Sequence, residues 1–157
     1  MLRKDKEITD RTLINKVINN AMFCHIGLSN NNYPYIIPVS FGYDGSNIYF
    51  HTAPEGKKLD YIKSNKQACF ALEHEVQLVT NNTLACSWSF SFFSVIGFGS
   101  VEEITKTEEM DYALNQIMQH YSGKNWSFSE SSFAKVRLWR IIIEEVSGKM
   151  SKDKILV

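Results

Sequence analysis

Two adjacent lysines, Lys57 and Lys58, follow a strand-like run and a short link in the segment Tyr49-Phe50-His51-Thr52-Ala53-Pro54-Glu55-Gly56-Lys57-Lys58-Leu59-Asp60. Thr52 and Glu55 have the spacing of a capping box, and Pro54 suits a first helical turn, so a helix is expected just after Thr52. A helix start offers unpaired backbone N–H groups and the positive end of the helix dipole. With two ammonium groups beside it, such a start suits a phosphate, and the incoming strand can support a planar ring. The combination reads as a site for flavin mononucleotide (FMN). The plainer reading is a solvated helix face that carries two lysines. His51 is the titratable side chain placed to meet such a ring. With an ordinary pKa of about 6.5 it can give up a proton during reduction, or it can only hydrogen-bond and position the ring.

Other chemistries find little support. His25, His74 and His120 are scattered and have no metal-ligand spacing to the cysteines, so no metal site is expected. No Gly-x-Ser-x-Gly elbow is present for serine catalysis. The three cysteines, Cys24, Cys69 and Cys86, are odd in number and widely spaced. That argues against a disulfide framework and for cytoplasmic residence, with Cys24 and Cys69 as inert core residues. Lys+Arg and Asp+Glu both number 17, a balance unlike that of a nucleic-acid or membrane-surface binder. No apolar run approaches the roughly 20 residues of a membrane span, and the charged start, Met1 to Glu7, has no secretory pattern.

The elements that must position these residues follow from periodicity. At 157 residues with 44% hydrophobic content, one domain over 1–157 is expected, with 1–8 and 148–157 as flexible ends. Asp10 is placed to cap a helix over 11–20, with Leu13, Ile14, Val17, Ile18 and Ala21 on its apolar face. A strand over 22–29 follows. In the next run Tyr33, Tyr35, Ile37, Val39, Phe41 and Tyr43 alternate onto one face, with Pro34 and Pro38 on the other. Asp44-Gly45 signals a hairpin into a strand over 46–51. A helix to about 64 and a strand over 67–75 come next, then a long loop or irregular hairpin over 76–92. Another strand over 93–104 contains Gly97 and Gly99, which suggest a bulge or close approach. A helix over 106–121, with His120 on an exposed part, precedes Gly123 at a C-cap position. The last strand is expected over 134–146. Hairpin-linked strands with few helices point to a mainly β (α+β) antiparallel barrel with peripheral helices.

Four blocks carry a family resemblance. They are Tyr33–Tyr43, Ile48–Asp60, Cys86-Ser87-Trp88 with Ser94–Glu102, and the terminal strand through Ile143–Lys149. Together with the start Arg3-Lys4-Asp5-Lys6-Glu7-Ile8, they resemble the pyridoxamine-phosphate-oxidase-like FMN-binding split barrels, in particular the nitroimidazole-resistance branch. The resemblance implies a six-stranded Greek-key split barrel that pairs as a homodimer with flavin at the interface. It implies that Ile37, Pro38, Val39 and Ser40 line the ring. Phe50, His51 and Thr52 would flank ring and ribityl chain, and Lys57 and Lys58 would hold the phosphate. Ser94 and Val95 would add contacts from a neighbouring strand. Trp126, Trp88 or Phe93 of a second subunit would cover the site.

The activity implied is that of a flavin-dependent reductase. It would use FMN (or FAD), take electrons from NAD(P)H, and pass them to a small nitroaromatic or quinone-like acceptor, with His51 as the catalytic candidate. An apolar slot from residues such as Val39 and Val95 would hold the ring. The alternative is a non-enzymatic flavin- or haem-binding, stress-response module. Oxidation of vitamin B6 is not expected, because arginines are few (Arg3, Arg11, Arg137, Arg140) and Ser94-Val95-Ile96 lacks the arginine those oxidases carry there.

Overall fold

The computed structural model describes residues 4–151. A short 3₁₀ turn, Lys4–Lys6, leads into β1 (Glu7–Ile8) and α1 (Arg11–Asn20). Then come β2 (Cys24–Asn30), β3 (Tyr33–Val39), β4 (Phe41–Tyr43), β5 (Asn47–Thr52), α2 (Lys57–Ser64), β6 (Gln67–Val79) and β7 (Ser89–Ile104). α3 (Thr107–Ser122), the short α4 (Glu130–Phe133) and β8 (Arg137–Met150) complete the chain. Asp10 caps α1 as its sequence position requires, accepting a hydrogen bond from the Thr12 N–H at 2.9 Å. Gly123 ends α3 in the left-handed conformation.

The strands form one antiparallel sheet in the order β3-β2-β6-β7-β8-β5-β4, with β1 added to β8. The first and last members of that order, β3 and β4, are one run of chain interrupted at Ser40. Before Ser40 the run pairs with β2, and after it with β5. This change of partner closes the sheet into a barrel of six main strands, because the run from Tyr33 to Tyr43 counts once and β1 has only two residues. The expected alternation holds from Ile36 to Phe41: Ile37, Val39 and Phe41 are buried inside, while Ile36, Pro38 and Ser40 face outward; at the start of the run Tyr33 is exposed and Tyr35 half-buried, and at its end Gly42 is buried with Tyr43.

The barrel interior holds the main core, which includes Ile26, Phe41, Phe50, Phe70, Leu72, Val95 and Ile141. A smaller cluster, Tyr49, Ile104, Ala113, Ile117 and Leu138, fastens α3 to the outside. Gly99 belongs where the register of β7 on β8 shifts, between Phe98 and Gly99. A Cβ there would stand 2.0 Å from the Ile142 carbonyl oxygen, so close backbone approach explains the glycine.

Of the two readings of 76–92, the irregular hairpin is the one found: Leu78 lies opposite Phe90 and Val79 opposite Ser89 beyond a register break after His74, with 80–88 as the connecting loop. Three expectations change. The last strand begins later and runs further, because Ser147, Gly148 and Lys149 pair with Ile96, Val95 and Ser94. Gly148 and Lys149 also pair with Ile8 and Glu7, so those parts of the expected flexible ends are ladder. The remaining expected end residues 1–3 and 152–157 lie outside the described residues. His120 is half-buried rather than exposed: its ring packs 4.3 Å from that of Phe41, and its Nε2 lies 2.8 Å from the Ala21 carbonyl oxygen.

Candidate functional site

Past Phe50 the barrel opens. Phe50 still pairs with Phe41, but His51 and Thr52 have ladder partners only on β8, while β3 stays with β2. A split therefore separates the free edge of β3 from the end of β5 and the start of α2. From Tyr35 to Ser40 it runs about 17 Å at ordinary strand rise.

α2 begins at Lys57, later than the sequence suggests, with Gly56 as N-cap and no side-chain cap. The Thr52–Glu55 capping box does not form. Thr52 is committed elsewhere: its hydroxyl accepts the Trp139 indole N–H at 3.1 Å and donates to the Ala53 carbonyl at 2.9 Å, in a buried position. Pro54 accordingly lies in the link and not in the first turn. Gly56 has φ of 132°, a region other residues rarely enter, and a Cβ there would meet nothing within 4 Å. The link thus delivers a helix start whose first amides have no side chain over them.

The two lysines part company. The Lys57 ammonium stands over three tyrosine rings, at 5.0 Å from Tyr35, 5.7 Å from Tyr61 and 6.0 Å from Tyr33. The Lys58 charge is felt by His51. Successive helix residues point about 100° apart, so the two side chains leave the helix in different directions. His51 is exposed, and its imidazole is held below its ordinary pKa, first by partial desolvation and second by Lys58. Lys57 thus stands at the Tyr35 end of the split, and His51, next to Phe50 whose partner is Phe41, lies toward the Ser40 end.

Of the residues expected to line a ring, Pro38, Ser40 and His51 are exposed. Ile37, Val39, Phe50 and Thr52 are buried, so they offer backbone groups rather than side chains. Val95 is fully buried in the barrel, and with Val39 it belongs to the core instead of an apolar slot. Ser94 is outward but distant. It pairs with Lys149 of β8 and His51 with Leu138, eleven positions earlier on that strand, or roughly 35 Å of extended chain. One chain does not bring Ser94 and His51 to one ring.

Sequence reasoning missed the tyrosines and two further supports. Lys57 and Tyr61 are four apart on one helix, the spacing that makes neighbours, so part of the cage was open to discovery. The Tyr121 hydroxyl accepts the Phe41 N–H at 3.2 Å and donates to the Met22 carbonyl at 2.9 Å, pinning the chain where it changes partner at Ser40. Trp139, through Thr52, fixes the other lip. No spacing signals either contact. Burial pushes the Cys24 thiol up to about 12, as for an inert core residue, and among the described residues no His/Cys/Asp/Glu group could hold a metal ion. No helix among the described residues is long and apolar enough to cross a membrane.

The family model described as pyridoxamine 5'-phosphate oxidase matches residues 10–150. This chain belongs to that family. Among solved structures, this oxidase-family chain is similar to a candidate 5-nitroimidazole antibiotic resistance protein from Bacteroides thetaiotaomicron. Identity is 31%, coverage is 92% of this chain and 86% of that one, and the TM-score is 0.81. It shares its fold with the flavocytochrome Anf3 from Azotobacter vinelandii, at 18% identity, 96% and 72% coverage and TM-score 0.80. It also shares it with a FAD and haem binding protein from Mycobacterium smegmatis, at 17% identity, 97% and 76% coverage and TM-score 0.79. No match to a curated protein was found.

Proposed function

We propose that this member of the pyridoxamine 5'-phosphate oxidase family holds FMN in the split and reduces small nitroaromatic or quinone-like acceptors as a homodimer. The observation that carries the reading is the uncapped start of α2 with Lys57 at one end of the split and exposed His51 at the other. The residues fit the group. Amides and an ammonium suit a phosphate, the outward Pro38 and Ser40 offer a shallow wall, and no buried side chain there lacks a hydrogen-bond partner. When bound, a flavin supplies the electron transfer, with reduced nicotinamide as the source. Lys57 and the first amides of α2 anchor the phosphate. The backbone of 37–40 and 50–52 orients the ring. His51 holds a proton-exchanging imidazole beside it.

Pairing of two copies has its own support. Phe90, Ile96 and Phe98 lie on the outward face of β7 and are each about half exposed, with exposed Leu78 opposite Phe90 on β6 and exposed Ile36 further across the sheet on β3. Such a stripe suits burial against a second copy. A second copy is also the way for Ser94 to approach a ring it cannot reach in its own chain. Trp88 and Trp126 are exposed and available to cover it, whereas Phe93 is buried at 8% in its own core. The described arginines are engaged elsewhere: Arg11 with Tyr43 and Gly45, Arg137 with Glu103, Arg140 with Glu102 and Glu109. This favours nitro or quinone acceptors over a B6 phosphate. Free cysteines suit a cytoplasmic setting.

The test is the visible spectrum of the purified protein, its flavin content per chain, and then reduction by NAD(P)H and reoxidation by a nitroaromatic. Bleaching and recovery are expected. A colourless preparation that takes up no added FMN refutes the reading. A bound flavin that exchanges electrons with neither partner supports a carrier instead, the reading to which the flavin- and haem-binding fold neighbours lend weight.

A further inference from the structure

We propose that Tyr33, Tyr35 and Tyr61 form a cage that positions the Lys57 ammonium, so that this caged lysine discriminates phosphorylated flavin from riboflavin. The inference rests on the flavin reading above and goes beyond it by naming the residues that hold Lys57 in place. The Lys57 ammonium lies 5.0, 5.7 and 6.0 Å from the centroids of Tyr35, Tyr61 and Tyr33. Tyr35 and Tyr61 pack on each other at 4.9 Å, and Tyr61 is buried. The cage therefore has a fixed floor, and Tyr33 is its exposed outer wall.

A lysine side chain has four rotatable bonds, and holding it in one place normally costs entropy at the moment of binding. Three π faces hold the charge beforehand without neutralising it, since no carboxylate pairs with Lys57 among the salt bridges of the described residues. An ammonium has three N–H donors, and ring faces do not use them as a carboxylate would. The cage thus presents a pre-oriented, still-cationic donor beside the uncapped α2 amides.

The experiment measures dissociation constants for FMN and riboflavin by fluorescence quenching, for the full-length protein and its variants. The ratio of the two constants reads phosphate recognition and cancels damage to the ring site. Tyr35→Leu and Tyr33→Leu are each expected to shrink the FMN preference by up to about fivefold, and Tyr35→Phe, which keeps a π face, to preserve most of it. Lys57→Met keeps the apolar stem and is expected to abolish most of the preference. Tyr33 is exposed, so its variant tests the cage without risk to the core. An unchanged ratio in Tyr35→Leu and Lys57→Met, with FMN still bound, overturns the cage alone. Wild-type protein that binds neither compound overturns the flavin reading beneath it.

Discussion

The hydrogen bond from the Trp139 indole to Thr52 ties the β5 lip of the split to β8, and its removal has a calculable cost. Thr52 is 2% exposed and Trp139 3% exposed, and the N–H to hydroxyl distance is 3.1 Å. Thr52→Val nearly conserves volume, so no large cavity opens. It leaves the indole N–H without its acceptor in a place water does not reach. The Ala53 carbonyl also loses its donor, but Ala53 is exposed and water replaces that contact. The main loss is the desolvation of one buried donor, about 1–3 kcal/mol. At roughly 2–4 °C per kcal/mol for a chain of this size, the melting temperature should fall by about 4–8 °C for a central loss of about 2 kcal/mol.

Thr52→Ser keeps the oxygen and deletes one methyl, for about 1 kcal/mol. The decisive assay is a double-mutant cycle with Trp139→Phe, read by denaturant or thermal unfolding. Once Trp139→Phe has removed the indole N–H, Thr52→Val should cost little, giving a coupling of about 1–2 kcal/mol. Equal costs in both backgrounds would refute the claim that this contact, rather than a helix cap, is what Thr52 does. The same variant should weaken flavin uptake, since Thr52 anchors the link that presents α2.

Further outcomes follow from the same structure. Gly99→Ala puts a Cβ 2.0 Å from a backbone oxygen that cannot swing aside, so soluble yield or stability should fall by several kcal/mol, about 3 or more by chemical unfolding. Ile96→Asp with Phe98→Asp, on the outward stripe, should turn a dimer into a monomer by sedimentation and cut flavin occupancy together with it; a variant that stays dimeric removes that face from the interface. His51 has a lowered folded pKa, so its protonation is disfavoured in the folded state. Stability linked to His51 is therefore present above about 6.5 and lost as pH falls from there through the lowered folded value. If His51 donates the proton, turnover rises over that same acid range, and Lys58→Gln, which removes a cation, moves the rise to higher pH; an identical profile in Lys58→Gln and wild type denies Lys58 this influence.

The parts of the molecule that were legible are those whose cause is local. Alternation from Ile36 to Phe41 marks inside from outside, because a pleated strand has period two regardless of its partners. Asp10 and Gly123 announce helix ends through contacts within a few residues. The strand ending at Thr52 and the helix after it are visible for the same reason. The failures arise where a distant residue competes for a local one. Thr52 has the chemistry of a cap, yet Trp139, 87 positions away, claims its oxygen, and the helix starts later at a glycine. Residues 147–150 look polar and loose, but β1 and β7 supply ladders that no composition reveals.

The split itself is the clearest case. It exists because one continuous run changes neighbours at Ser40, and nothing at Ser40 encodes that change. The change follows from β2 lying on one edge and β5 on the other, with Tyr121 from α3 holding the backbone between them. A candidate site made by barrel closure therefore has readable walls and an unreadable gap. The two lysines follow the same logic. Their adjacency is visible in sequence, but the surroundings of Lys57 are not. Tyr33 and Tyr35 come from β3 and Tyr61 from the next turn of α2, and only the fold brings their rings to one ammonium.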